Sequence, residues 1–108
     1  MRQGEVYIRG IKAGLLTEHN RHDYEFKYYD EYLQNEDNYR FPVSVHLPLR
    51  KEAYKSKYLF SYFYNMLSEG ANRMAQALYY HLDPKDDFGI LLETAEYDTI
   101  GTVTVKKI

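Results

Sequence analysis

The sequence predicts an α+β domain: a small antiparallel sheet that could be barrel-like, made of N-terminal strands and the C-terminal strand, with about three helices between. Three observations predict it. Apolar and polar residues alternate near both ends, the period of half-buried strands. Between those ends apolar residues recur at helical spacing. At 108 residues the chain is long enough for one core and too short for two, so residues 1–108 are read as a single domain.

The elements follow in order. Glu5-Val6-Tyr7-Ile8-Arg9 alternates, Gly10 is a turn candidate, and Ala13-Gly14-Leu15-Leu16-Thr17 returns as the second arm of a hairpin. After the polar loop His19-Asn20-Arg21-His22-Asp23, the stretch Tyr24-Glu25-Phe26-Lys27-Tyr28 predicts a third strand. A short helix through Asp30-Glu31-Tyr32-Leu33 fades in Gln34-Asn35-Glu36-Asp37-Asn38. Val43-Ser44-Val45-His46-Leu47 alternates between Pro42 and Pro48 and predicts a further short strand. Arg50-Lys51-Glu52-Ala53-Tyr54-Lys55 is a connection, and Ser56 an N-cap candidate.

Leu59, Phe60, Phe63, Met66 and Leu67 form an amphipathic helical stripe that Gly70 stops. Ala71, Met74, Ala75, Leu78, Tyr79 and Leu82 form a second, so two helices are expected to meet at the Glu69-Gly70 elbow. Asp83 as N-cap, Pro84 at the first helical position and Asp86 in the first turn predict a third helix carrying Phe88, Ile90, Leu91 and Leu92. Gly101 ends the connection, and Thr102-Val103-Thr104-Val105-Lys106 is a β-branched strand expected to pair back into the first sheet.

Composition narrows the function. With 14 basic and 16 acidic residues the net charge is −2, which provides no general attraction for nucleic-acid phosphates, so any DNA contact would come through a partner. The absence of cysteine excludes a disulfide framework and fits a reducing cytosol. No apolar run approaches the ~20 residues of a membrane span, and Met1-Arg2-Gln3-Gly4 lacks a signal core, so a cytoplasmic protein is expected. Thirteen tyrosines and five phenylalanines without tryptophan suit either a Tyr-rich core or an aromatic interface.

Candidate chemistry is sparse. His19, His22 and Asp23 could share a metal ion, but three donors in a polar turn are better read as a solvated loop, and no metal or cofactor is expected. His46 and His81 have no obvious catalytic companion. Asp83, Asp86 and Asp87 are accounted for by helix capping rather than acid/base work. Ser61 and Ser68 lack nucleophile-elbow context, and the chain has no Gly-rich phosphate loop, His-Arg-Asp motif or Asp-Phe-Gly motif. No catalytic residue is therefore nominated, and the expectation is a protein that is not an enzyme. Tyr54-Lys55-Ser56-Lys57-Tyr58 could stack on single-stranded nucleic acid, but the slightly acidic net charge and the lack of an RNP-type pattern favour a solvated helix entry. The elbow Asn65-Met66-Leu67-Ser68-Glu69-Gly70, with Tyr64 before it and Arg73 after it, could form an apolar anchor with a charged rim; its plain alternative is a helix corner with Arg73 paired to Glu69.

Several blocks, taken in order, resemble the N-terminal domain of HipA-type toxin kinases: Val43 to Leu49, the run Phe60 to Arg73, Phe88-Gly89-Ile90-Leu91-Leu92, and Asp98 to Val103. Val6-Tyr7-Ile8, Ala13 to Leu16 and Phe26-Lys27-Tyr28 also fall in family order, so the resemblance covers about Glu5 to Lys106. Ser68 stands where the family usually has proline, and Glu96 and Thr102 where it usually has glycine and alanine. The resemblance implies a free-standing, HipS-like subunit of a split HipBST-type toxin-antitoxin system. Such a bacterial antitoxin would bind a separately encoded HipA- or HipT-like Ser/Thr kinase, with a HipB-like DNA-binding protein in the same complex. Its partner-binding residues would be Tyr64, Asn65, Met66, Leu67, Ser68, Glu69, Gly70 and Arg73, wedged near the nucleotide or substrate cleft of the kinase. The alternatives are a non-inhibitory subunit bridging kinase and DNA-binding protein, and a single-stranded nucleic-acid-binding module.

Overall fold

Five antiparallel strands form one open sheet, in the order β4-β3-β2-β1-β5, in the computed structural model, which describes residues 1–34, 41–96 and 102–108. The elements are β1 (Arg2–Ile8), β2 (Ile11–Asn20), β3 (Asp23–Tyr28), α1 (Asp30–Gln34), β4 (Tyr54–Ser56), α2 (Ser61–Tyr64), α3 (Gly70–Tyr79), α4 (Asp87–Thr94) and β5 (Val103–Lys107). The α+β class is as expected, with four helices among the described residues and a sheet that does not close into a barrel. The expectations placed on residues 35–38 and 98–101 lie outside the described residues.

The hairpin of β1 and β2 turns at Arg9 and Gly10, whose φ values of +54° and +80° match the two left-handed positions of a tight hairpin loop. β5 pairs with β1, Val6 opposite Val105 and Ile8 opposite Val103, so the chain's end closes against its beginning. Because side chains alternate across a strand, register sorts the sheet face into rows. Val6, Gly14 and Tyr28 form one row; Gly4, Leu16, Phe26 and Tyr54 the next; Arg2, Glu18, Tyr24 and Ser56 the last. The first two rows bear most of the core, and the third is polar. Gly14 has no side chain because the site has no room for one: a Cβ there would lie 2.7 Å from the Lys27 carbonyl and 2.8 Å from the Phe26 ring.

α4 covers this face. Phe88, Ile90, Leu91 and Leu92 are all buried, since a short helix laid across a sheet edge and flanked by loops meets protein on nearly every side. Its cap is Asp86, which accepts a bond from the Gly89 amide at 3.1 Å, rather than the expected Asp83. Asp83 instead holds the preceding turn by accepting from the Lys85 amide. Phe63 on α2 is fully buried with its ring 5.7 Å from that of Phe26, and Tyr32 on α1 stacks on Tyr28 at 6.2 Å.

Three expected elements differ. Val43 to Leu47 is a turn, not a strand, because its backbone bonds to a buried side chain instead of a ladder. The Tyr28 hydroxyl accepts from the Val43 amide at 2.8 Å and donates to the Leu47 carbonyl. Val43 and Leu47 still enter the core, which is why the stretch looked like a strand. The fourth strand comes from Tyr54–Ser56, within the predicted connection, and Ser56 ends that strand instead of capping a helix. The helix expected over Leu59 to Leu67 is a single turn, and Gly70, at φ +63°, opens α3 instead of stopping α2.

α3 ends with His81 in the left-handed region at φ +58°, where the Leu82 amide reaches back to the Ala77 carbonyl at 2.8 Å. That geometry favours glycine. His81→Gly is expected to raise stability by about 0.5–1 kcal/mol, whereas Gly14→Ala is expected to lower it by about 1–3 kcal/mol through overpacking. Urea denaturation of both variants checks the opposite signs.

Candidate functional site

The polar end row places Arg2 between the sheet and α4. Its Nε and NH2 donate to Glu18 Oε1 at 2.9 and 2.7 Å, and NH1 and NH2 donate to the two Asp86 oxygens at 2.9 Å each. The second Glu18 oxygen accepts from the Tyr24 hydroxyl at 3.0 Å. Arg2 also lies over the Phe88 ring, 5.5 Å from its centroid. A planar guanidinium is suited to this because it serves two carboxylates in one plane. The Arg2 hydrogen bond is the main cause that holds the Asp86 carboxyl below its ordinary range, with the Gly89 amide helping and burial opposing. Burial, then the bond to Glu18, pushes the Tyr24 hydroxyl up to about 12.

This network is the floor of a cleft of about 520 Å³, rimmed by Arg21, His22, Lys85, Tyr58 and Tyr64. A second hollow of about 580 Å³ lies between Leu47, Phe60, Tyr62 and Asn65. Tyr58 and Leu59 line both, so Tyr58, 75 % exposed, stands on the ridge between two hollows. A large exposed aromatic beside concave surface is the composition of an interface anchor. In the sequence Tyr58 falls in the predicted helix entry. Its being an isolated tyrosine between Lys57 and an apolar pair was the available signal.

The nominated elbow residues separate. Tyr64 is half exposed on the cleft rim, and Asn65, Glu69 and Gly70 are exposed. Met66 and Leu67 are partly buried and pack against the core, and the Ser68 hydroxyl accepts from the Asn72 amide group at 3.0 Å. Arg73 turns inward: Nε donates to the Pro84 carbonyl at 2.8 Å and NH2 pairs with Asp87, so its ion pair is with α4 instead of Glu69. Arg73 thereby docks α3 on the start of α4.

That docking inverts α3. Its inner side carries Arg73, Gln76, Ala77 and Tyr80, while the stripe Ala71, Met74, Ala75 and Leu78 faces solvent. Met74 is 57 % and Leu78 79 % exposed, and Tyr79 beside them is exposed as well. These four side chains of the predicted amphipathic stripe therefore lie outside the core.

The other candidates are engaged locally. His19 Nε2 lies 3.2 Å from Glu25, which also pairs with Lys55 at 2.9 Å. Among the described residues no group of three His, Cys, Asp or Glu is placed to hold a metal ion, and no helix is long and apolar enough to cross a membrane. His46 is exposed in the turn after Val43. Arg50 sits 3.6 Å over the Tyr54 ring, which occupies one face that base stacking would need.

The fold and surface define a single-sheet α+β domain with a tyrosine ridge between hollows. The chain belongs to the HipA N-terminal domain family, whose model matches residues 4–106. Among solved structures it is similar to a chain described as the N-terminal domain of HipA toxin, with 28% identity and a TM-score of 0.70, covering 100% of this chain and 93% of that one. No curated protein matches. Family membership ties the domain to the HipA toxin-antitoxin system.

Two outcomes follow from the packing. Asp86→Asn keeps a helix cap but removes the charge, and is expected to cost about 1–2 kcal/mol at neutral pH. A carboxylate with a lowered folded value contributes stability above its unfolded value and loses it as pH falls through the folded one. The deficit of Asp86→Asn should therefore shrink in strongly acidic solution, as urea denaturation at about pH 7 and about pH 3 would show. Met66→Asp with Leu67→Asp is expected to destabilise the fold by about 2 kcal/mol or more, since both side chains lean on the core; circular dichroism melting checks it.

Proposed function

We propose that this domain is a cytoplasmic antitoxin-like subunit that binds a HipA-type Ser/Thr kinase and holds it inactive. Membership of the HipA N-terminal domain family supports the kinase as partner. The observation that carries the contact is the Tyr58 ridge, a 75 % exposed aromatic flanked by two hollows and by Tyr64. The 108 residues contain no phosphate loop or catalytic Asp motif, so the domain's contribution is steric and not chemical. Tyr58 and Tyr64 would enter the partner as rigid anchors, with the exposed Glu69 at the rim setting orientation. A HipB-like DNA-binding protein would join the same complex through the kinase.

The test is capture and phosphorylation by a HipA-type kinase from the same genome, with and without the purified domain. Capture with loss of phosphorylation is expected, and Tyr58→Ala with Tyr64→Ala should weaken capture about thirtyfold or more while leaving the circular dichroism spectrum unchanged. Capture without loss of activity would make the domain a bridging subunit. Absence of capture, with salt-sensitive retention on single-stranded nucleic acid, would replace the kinase reading altogether.

A further inference from the structure

We propose that the exposed face of α3 is a self-association surface, on which a second copy of this chain packs its own α3 in antiparallel orientation about a two-fold axis. The surface is distinct from the Tyr58 ridge and does not depend on the kinase reading.

A ten-residue helix normally spends its apolar stripe on the core, where burying each large side chain stabilises the fold. Here the Arg73 bonds to Pro84 and Asp87 hold the polar side inward, and Ala71, Met74, Ala75 and Leu78 are left in water. No charged side chain stands on that exposed side: its residues are Ala71, Asn72, Met74, Ala75, Leu78 and Tyr79.

The order of sizes along the stripe favours a second copy. It runs small, large, small, large. In a two-fold arrangement each residue of one copy meets its counterpart in reverse order, so Ala71 faces Leu78 and Met74 faces Ala75. Every large side chain then fills the space over a small one, and the alanines allow the helix axes to come within about 8–10 Å. A parallel pairing would instead set Leu78 against Leu78 and leave the alanines apart. Antiparallel helices also oppose their dipoles. Met74, Leu78 and Tyr79 are each more than half exposed, and a contact confined to one short helix lies at the small end of interface sizes, which suits a weak, reversible dimer.

Sedimentation equilibrium of the purified chain over a range of micromolar concentrations tests this directly. A monomer–dimer equilibrium is expected. Leu78→Asp should weaken it by on the order of tenfold or more. Ala75→Met, which adds apolar surface but fills the space for Met74, should weaken it too, as nonspecific stickiness would not. Circular dichroism of both variants confirms that the fold is kept. The chain has no cysteine of its own, so single substitutions report geometry cleanly. Ala75→Cys, next to the axis, should give an oxidised dimer readily, and Ala71→Cys, a turn away, should not. A chain that stays monomeric, a dimer untouched by Leu78→Asp, or preferential cross-linking of Ala71→Cys would overturn the proposal. So would a monomer whose Leu78→Asp variant loses kinase capture, since that face would then belong to the kinase.

Discussion

One guanidinium, that of Arg2, is shared by Glu18 from β2 and by Asp86 at the head of α4, and the relation between sheet and helix depends on it. The three groups meet because the strand register sets Arg2 opposite Glu18, and Glu18 opposite Tyr24. Asp86 in turn caps α4, so the same carboxylate that takes the arginine also sets where the helix starts. Partial burial strengthens each of these bonds and makes the loss of any partner costly, because the remaining charges would stay unpaired in a partly dry site. The cleft beneath the Tyr58 ridge thus has a rigid floor, and the ridge is presented on a fixed surface.

The helical layer is organised by a second arginine. Arg73 binds the Pro84 carbonyl and Asp87, at the start of α4 close to where Arg2 holds Asp86. Two arginines therefore converge on one turn, Arg2 from the sheet and Arg73 from α3. The consequence for function is indirect. By claiming the polar side of α3, Arg73 leaves the apolar side outward, and a feature that looks like ordinary core in the sequence becomes surface.

Tyrosine use explains much of the remaining architecture. Tyr28 supplies a hydroxyl to the backbone of Val43 and Leu47 and so replaces a strand partner, while its ring fills the core. Tyr32 does likewise with Phe41, its hydroxyl donating to that carbonyl at 2.7 Å. Tyrosines lie both in the core and on the surface, because a ring with one polar tip is useful wherever apolar packing ends at a backbone group or at water. Tyr58 is the second kind, Tyr28 the first.

The amino-acid sequence by itself determined the α+β class, the hairpin at Gly10, the return of the last strand to the first, and the helix of Phe88 to Leu92. It also carried the family resemblance that the whole-chain match bears out. These are local or near-local signals: alternation, a turn residue, a capped apolar run. Tertiary structure alone decided that Val43 to Leu47 is tied to a tyrosine hydroxyl, that Tyr54–Ser56 is the edge strand, that Arg73 faces Asp87, and that Tyr58 stands on a ridge. The physical reason is that periodicity states which residues share a face but not which face another layer will cover. For α3 that choice was made by an ion pair with a residue fourteen positions away, and it turned the stripe of Met74 and Leu78 to solvent.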